Sequence, residues 1–228
     1  MTGILASINS LEEAIIALEN KVDIIDLKQP TQGALGALET ETISQIVAYI
    51  NHKCPISATI GDLPMQADSI LDAVTKIAGT QVDFIKIGFF PDDAWEATIN
   101  KLAALPQQGL KLIAVLFADQ QPDYQIIKEL KAADFTGVML DTMDKNHSSL
   151  TQVMSEQVIR EFVDEAKHQH MLCGLAGSLR KEDISKLLPL QPDYLGFRGA
   201  ICHQHNRTSK LDKQALQSIH SAISGNQT

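Results

Sequence analysis

Residues 23–37 read DIIDLKQPTQGALGA. A short run of β-branched and aliphatic residues closes on Asp26 and Lys28, then gives way to Gln, Pro, Thr and Gly, the residues of turns and loops. A strand that ends on charge and runs into a loop is one half of a strand and helix unit. Similar runs recur at 3–8, 55–61, 83–89, 111–118, 137–142, 171–178 and 194–200. The segments between them repeat apolar residues every three or four positions, the period of an amphipathic helix. Ser10 before LEEAIIALEN, Pro91-Asp92-Asp93 before AWEATINKLAAL and Ser155 before EQVIREFVDEAKHQH each offer a helix start. Eight such units close a parallel barrel. The expected fold is therefore α/β, a single (β/α)8 TIM barrel forming one catalytic domain over residues 1–228. A doubly wound open sheet ranks second, since it usually has about five or six strands.

A formal net charge of −9 excludes the broad basic face that nucleic acid or an anionic membrane would need, so an anionic ligand must be held locally. The amino terminus MTGILASINS lacks the basic region of a signal peptide, and no run approaches the roughly 18 apolar residues of a membrane span. A cytoplasmic location is expected. Cys54, Cys173 and Cys202 are too scattered for a disulfide framework and read as buried thiols. Cys202, His203 and His205 have no second ligand pair at zinc-type spacing, so no metal is expected. Neither a dinucleotide fingerprint nor a GxxxxGK[ST] loop is present, and the last residues, SGNQT, read as a frayed tail. Barrels of this size often self-associate, which leaves a homo-oligomer open.

Chemistry in such a barrel sits at the carboxyl ends of the strands. Asp26 and Lys28 are two apart and share one face by the strand period. The fourth run, DFIKIG, places Lys86 among apolar residues; the sixth ends at Asp141 with Lys145 four residues on; the eighth carries Arg198. All lie on even-numbered strands, whose side chains meet in shared layers. A lone strand lysine is more often a paired or snorkelling residue. Two beside carboxylates at the catalytic rim point to function, because adjacent ammonium groups shielded from water lower a pKa and free an amine to form a Schiff base.

The seventh run ends GLAGS at Ser178 and the eighth ends GFRGA at Ala200, the usual place for phosphate in this fold. Gly177, Ser178, Arg198 and Gly199 are the expected phosphate-binding residues, since glycine lets backbone amides approach an anion. The loop 28–37 is either a cover over the substrate or an ordinary connection. Asp119 either meets substrate or caps the next helix, whereas His147, His168 and His170 read as solvated.

The motifs DIIDLKQPTQGALGA, SATIGDLP (57–64), DFIKIG (83–88), MLDTMDK (139–145), EFVDEA (161–166), LAGSLRKEDI (175–184) and GFRGAIC (196–202) recur in order along nearly the whole chain. On them the sequence resembles the (5-formylfuran-3-yl)methyl phosphate synthase family, also called 4-(hydroxymethyl)-2-furancarboxaldehyde-phosphate synthase, of methanofuran biosynthesis. The resemblance implies a lyase that condenses two glyceraldehyde 3-phosphates with loss of phosphate and water, and implies no cofactor or metal. By it, Lys28 matches the Schiff-base lysine, Lys86 a proton-transfer residue, and Asp141 with Lys145 a further catalytic pair. The loop 202–210 departs from the family in carrying His203 and His205. Two other readings stay open on the residues alone: a Schiff-base aldolase of another phosphorylated sugar, and a non-catalytic barrel that binds a phosphorylated metabolite.

Overall fold

In the computed structural model, which describes residues 1–91, 94–145 and 148–225, eight parallel strands pair in chain order and close into a barrel. They are β1 (Gly3–Ile8), β2 (Ile24–Leu27), β3 (Ile56–Thr59), β4 (Phe84–Phe89), β5 (Leu112–Phe117), β6 (Gly137–Asp141), β7 (Leu172–Leu175) and β8 (Tyr194–Phe197). The fold is the expected TIM barrel. Several strands stop short of the sequence runs, so Lys28, Thr142, Ser178 and Arg198 stand just beyond the strand ends, on the rim.

The surrounding helices form for the reasons legible in their sequence. The helix α1 (Leu11–Glu19) starts at Ser10, whose side chain accepts from Glu13 N at 3.3 Å. Ser155 caps the helix 156–168 in the same way, and that helix buries Ile159, Phe162, Val163 and Ala166, one stripe at helical spacing. The start expected at Pro91-Asp92-Asp93 falls partly outside the described residues, as do His147 and the last three residues; the helix there runs Trp95–Leu102. His168 and His170 are exposed. All three cysteines are free and buried. Among the described residues no helix is long and apolar enough to cross a membrane.

Alternation along each strand sends one set of side chains to the helices and the other into the barrel. The inner set includes Leu5, Ile24, Val115 and Met139. Gly174 and Gly196 face Met139: a Cβ at Gly196 would come within 2.9 Å of Met139 Cε. One large flexible side chain thus plugs the barrel where two neighbouring strands carry none.

The loop after β2 is packed across the top rather than loose. Gln29 N donates to Gly36 O at 2.7 Å, and both oxygens of Asp62, from the loop after β3, accept from Ala34 N and Leu35 N at 2.7 Å each. This ties down Leu35, which is fully buried beside Phe117 and Val115. The turn needs Gly33: its φ is +105°, and a Cβ there would stand 2.0 Å from Asp62 Oδ2. We expect Gly33→Ala to break the Asp62 clasp, lowering stability by about 1–3 kcal/mol and making the loop the first site of limited proteolysis. A variant with the wild-type melting temperature and cleavage pattern would contradict this account of the loop.

Candidate active site

Paired register positions on three strands build the floor of the site. Ser7, Asp26 and Ser57 are register neighbours on β1, β2 and β3, and all three are buried. The hydroxyls of Ser7 and Ser57 each donate to Asp26 at 2.7 Å, one to each oxygen. Lys86, from the middle of β4, adds Nζ to Asp26 Oδ1 at 2.9 Å. The carboxylate and the ammonium group are therefore paired and hydrogen-bonded, the condition under which buried charge is tolerated.

Above this floor, Lys28 leaves β2 and points into a cavity of about 240 Å³ that Lys86, Asp141 and Lys145 also line. Lys145 Nζ pairs with Asp141 Oδ1, and Thr142 N donates to the same oxygen at 2.8 Å. The loop that carries Lys145 is held from the neighbouring strand end. Asp119 accepts from Met143 N and Asp144 N, each at 2.8 Å. Asp119 thus braces this loop rather than capping the next helix.

Electrostatics separate these groups. Burial pushes the Lys28 ammonium down to about 8, and the positive charges of Lys145 and Lys86 act in the same direction; Asp141 and Asp26 oppose them without cancelling the effect. Burial also lowers the pKa of Lys145, against the pull of Asp141. For Asp26, burial favours the neutral acid, but Lys86, Lys28 and the two serine hydroxyls outweigh it and hold the group ionised. Asp141 is held below its ordinary value by Lys145 and Lys28 despite burial. The result is one amine with its pKa at about 8 beside two carboxylates held ionised.

At the other wall, Gly177 and Ser178 follow β7 and Gly199 follows β8, all lining the same cavity. Among the described residues no acceptor takes the backbone N–H of Gly177, Ser178 or Gly199. Gly177 has φ +103°, and a Cβ there would lie 2.8 Å from Thr142 Cγ2, so glycine is required. Ser178 also has a positive φ, and its hydroxyl donates to Lys145 O at 3.3 Å. Three amides without an acceptor thus line one wall as a cup, an arrangement able to receive an anion.

Arg198 does not join that cup as expected. Its Nε donates to Arg207 O at 2.8 Å, Nη1 to Ser7 O at 3.1 Å and to Glu13, and Nη2 to Glu13 Oε1 at 3.2 Å and Ser209 O at 2.9 Å. Every N–H of the guanidinium is already engaged. Glu13, a buried carboxylate on α1, is the partner that the sequence reading missed; it also accepts from Asn9 N and Leu211 N. Two further cations line the cavity that sequence reasoning passed over, Arg180 and Arg207. The signal for Arg180 was present in LAGSLRKEDI; nothing in the loop around Arg207 marked it. Among the described residues no group of three His, Cys, Asp or Glu converges as a metal site: Cys202 is buried, whereas His203 reaches out to Asp212 at 3.2 Å.

The sequence and the fold have counterparts among known proteins. Residues 4–220 match the family model described as 4-HFC-P synthase. A Methylorubrum extorquens protein, provisionally named (5-formylfuran-3-yl)methyl phosphate synthase, is 40% identical over 209 residues, which is 92% of this chain and 86% of that one. The (5-formylfuran-3-yl)methyl phosphate synthase of Methanosarcina mazei is 32% identical over 220 residues, covering 92% of this chain and 94% of the relative. Among solved structures, 3-hexulose-6-phosphate synthase superposes with a TM-score of 0.69 at 16% identity, over 97% of this chain and all 100% of the other, a likeness of fold alone. With the family model spanning almost the whole chain and relatives similar over nearly all of theirs, the chain belongs to the 4-HFC-P synthase family.

Proposed function

We propose that this enzyme condenses two molecules of glyceraldehyde 3-phosphate through a Schiff base at Lys28, releasing phosphate and water, to give (5-formylfuran-3-yl)methyl phosphate. The product would serve a methanofuran-type formyl carrier, and the setting is cytoplasmic. The observation that carries this reading is the buried Lys28 amine, near neutrality, facing an amide cup across one cavity. With its pKa down to about 8, roughly a tenth of Lys28 is neutral at pH 7, against roughly a few in ten thousand for a solvated lysine.

Neutral Lys28 attacks the carbonyl of the first triose, and loss of water leaves an iminium that serves as an electron sink. A proton on the adjacent carbon then becomes acidic, and Lys86 lies on the same wall to move it. The resulting enamine adds to the carbonyl of the second triose, forming a carbon–carbon bond. Loss of phosphate, then attack of a hydroxyl on the remaining carbonyl with loss of water, closes and unsaturates the ring, and hydrolysis of the Lys28 imine frees the formyl group and the lysine. Asp141 and Lys145, a paired acid and base at the rim, supply and take up protons in those later steps. Gly177, Ser178 and Gly199 hold one phosphoryl group through backbone amides, with Arg180 beside them. Arg198 serves this wall by anchoring its loop.

The test is incubation with glyceraldehyde 3-phosphate alone, which should release inorganic phosphate and build a furan absorbance, with Lys28→Ala abolishing both and borohydride trapping as well. Trapping without furan, and with a different product mass, would instead point to a Schiff-base aldolase of another phosphorylated sugar. No trapping at all would leave a barrel that only binds.

The pH profile is a second check. Since Lys28 must be neutral to attack, the trapping rate should climb through pH 8 and level off above it. Lys145 lowers the Lys28 pKa and also offsets Asp141, which raises it. Lys145→Met should therefore move the midpoint towards alkaline pH, measured by trapping rate against pH. An unmoved or acid-shifted midpoint contradicts the assignment. Asp26→Asn should leave Lys86 buried without its counter-charge and cost about 3 kcal/mol in urea unfolding at neutral pH; wild-type stability would show that the pair is dispensable.

A further inference from the structure

One amide cup accounts for one phosphoryl group, yet two phosphorylated trioses enter in the reading above, on which this inference rests. Arg207 stands in the loop after β8 and is half buried. Among the described residues its guanidinium makes one hydrogen bond, Nη2 to Gly33 O at 2.9 Å, and pairs with no carboxylate. The Arg207 Cβ lies 3.9 Å from where a Cβ on Gly199 would be, while its tip reaches Gly33 in the loop after β2. The side chain therefore runs from the cup to the loop after β2.

Its backbone is fixed for this purpose. Arg198 holds Arg207 O and Ser209 O, bracketing the loop, and is itself locked to Glu13. A buried ion pair thus sets the position of a second arginine that keeps donors to spare. At the cavity, Asp141 is already matched by Lys145, and beneath it Asp26 is matched by Lys86. Arg207 is surplus positive charge in a chain of net charge −9, at a cavity mouth.

We propose that Arg207 binds the second phosphoryl group, where the loops after β2 and β8 meet at the cavity, while the amide cup holds the first. Arginine suits this because its planar donors match phosphate oxygens, and retaining one bond to Gly33 O keeps the side chain extended before substrate arrives. When both phosphoryl groups are bound, the two trioses are held with their carbonyl ends towards Lys28.

Arg207→Gln tests this, since the amide can still donate to Gly33 O but carries no charge. Titration of the whole protein with inorganic phosphate should show two sites in wild type and one in the variant. The KM for glyceraldehyde 3-phosphate should rise about tenfold or more with kcat within a few-fold. Inorganic phosphate should inhibit the variant about tenfold less. Arg207→Lys should recover part of each loss. A variant with unchanged phosphate stoichiometry and KM overturns the assignment, and so does an equal loss in Arg207→Lys and Arg207→Gln, which would mark a structural role. The two readings separate cleanly: wild type that makes no furan yet loses one phosphate site in Arg207→Gln fails the reaction and keeps this site. Wild type that makes furan with an indifferent Arg207 keeps the reaction and fails the site.

Discussion

The structure turns on one buried interaction, the carboxylate of Asp26 held by Lys86 and two serine hydroxyls inside the closed barrel. A parallel barrel is ordinarily filled with layers of aliphatic side chains. Here one layer is charged, and it survives because both oxygens of Asp26 meet donors and its charge is matched by Lys86. That arrangement has a consequence one layer higher. With Asp26 already committed to Lys86, its attraction for Lys28 is not enough to offset burial, and Lys28 is left as the group that gives up its proton. An isolated carboxylate at that position would have paired with Lys28 and silenced it.

The same logic of prior commitment recurs at the rim. Asp141 is taken by Lys145, Asp62 by two amides of the loop after β2, Asp119 by two amides of the loop after β6, and Arg198 by Glu13. Each tie fixes a loop that borders the cavity without placing an unpaired charge in it. Among the described residues the groups left uncommitted include the Lys28 amine, the amides of Gly177, Ser178 and Gly199, and most of the Arg180 and Arg207 guanidiniums. Those are an amine and a set of groups able to donate to an anion.

How much of this was legible in the sequence follows from which signals are local. Strand number, strand order and the inward set on β2 and β4 rest on periodicity within a few residues, and Asp26, Lys28 and Lys86 stand where that period puts them. Gly177 was likewise marked by its position after the seventh strand. Arg198 was read correctly as a rim residue and wrongly as a phosphate ligand, because its partner Glu13 lies 185 positions earlier on a helix whose acidic first turn looked like ordinary capping. Asp119 was ambiguous for the same reason: the amides it holds belong to the next loop but one. Arg207 carried no signal, since its importance depends on two loops meeting across the barrel mouth, and such contacts have no period.

The comparison with 3-hexulose-6-phosphate synthase sharpens the point about where function resides. The two chains share a barrel over nearly their whole length at 16% identity, so the backbone alone cannot select the chemistry. What distinguishes one such barrel from another is which inward and rim positions carry charge, and in which order those charges are neutralised by one another. In this chain the order is set from the bottom upward: serines fix Asp26, Asp26 fixes Lys86, and the pair leaves Lys28 unprotected. A barrel with the same strands and a neutral residue in place of Asp26 would bury Lys86 and Lys28 together with no carboxylate beneath them.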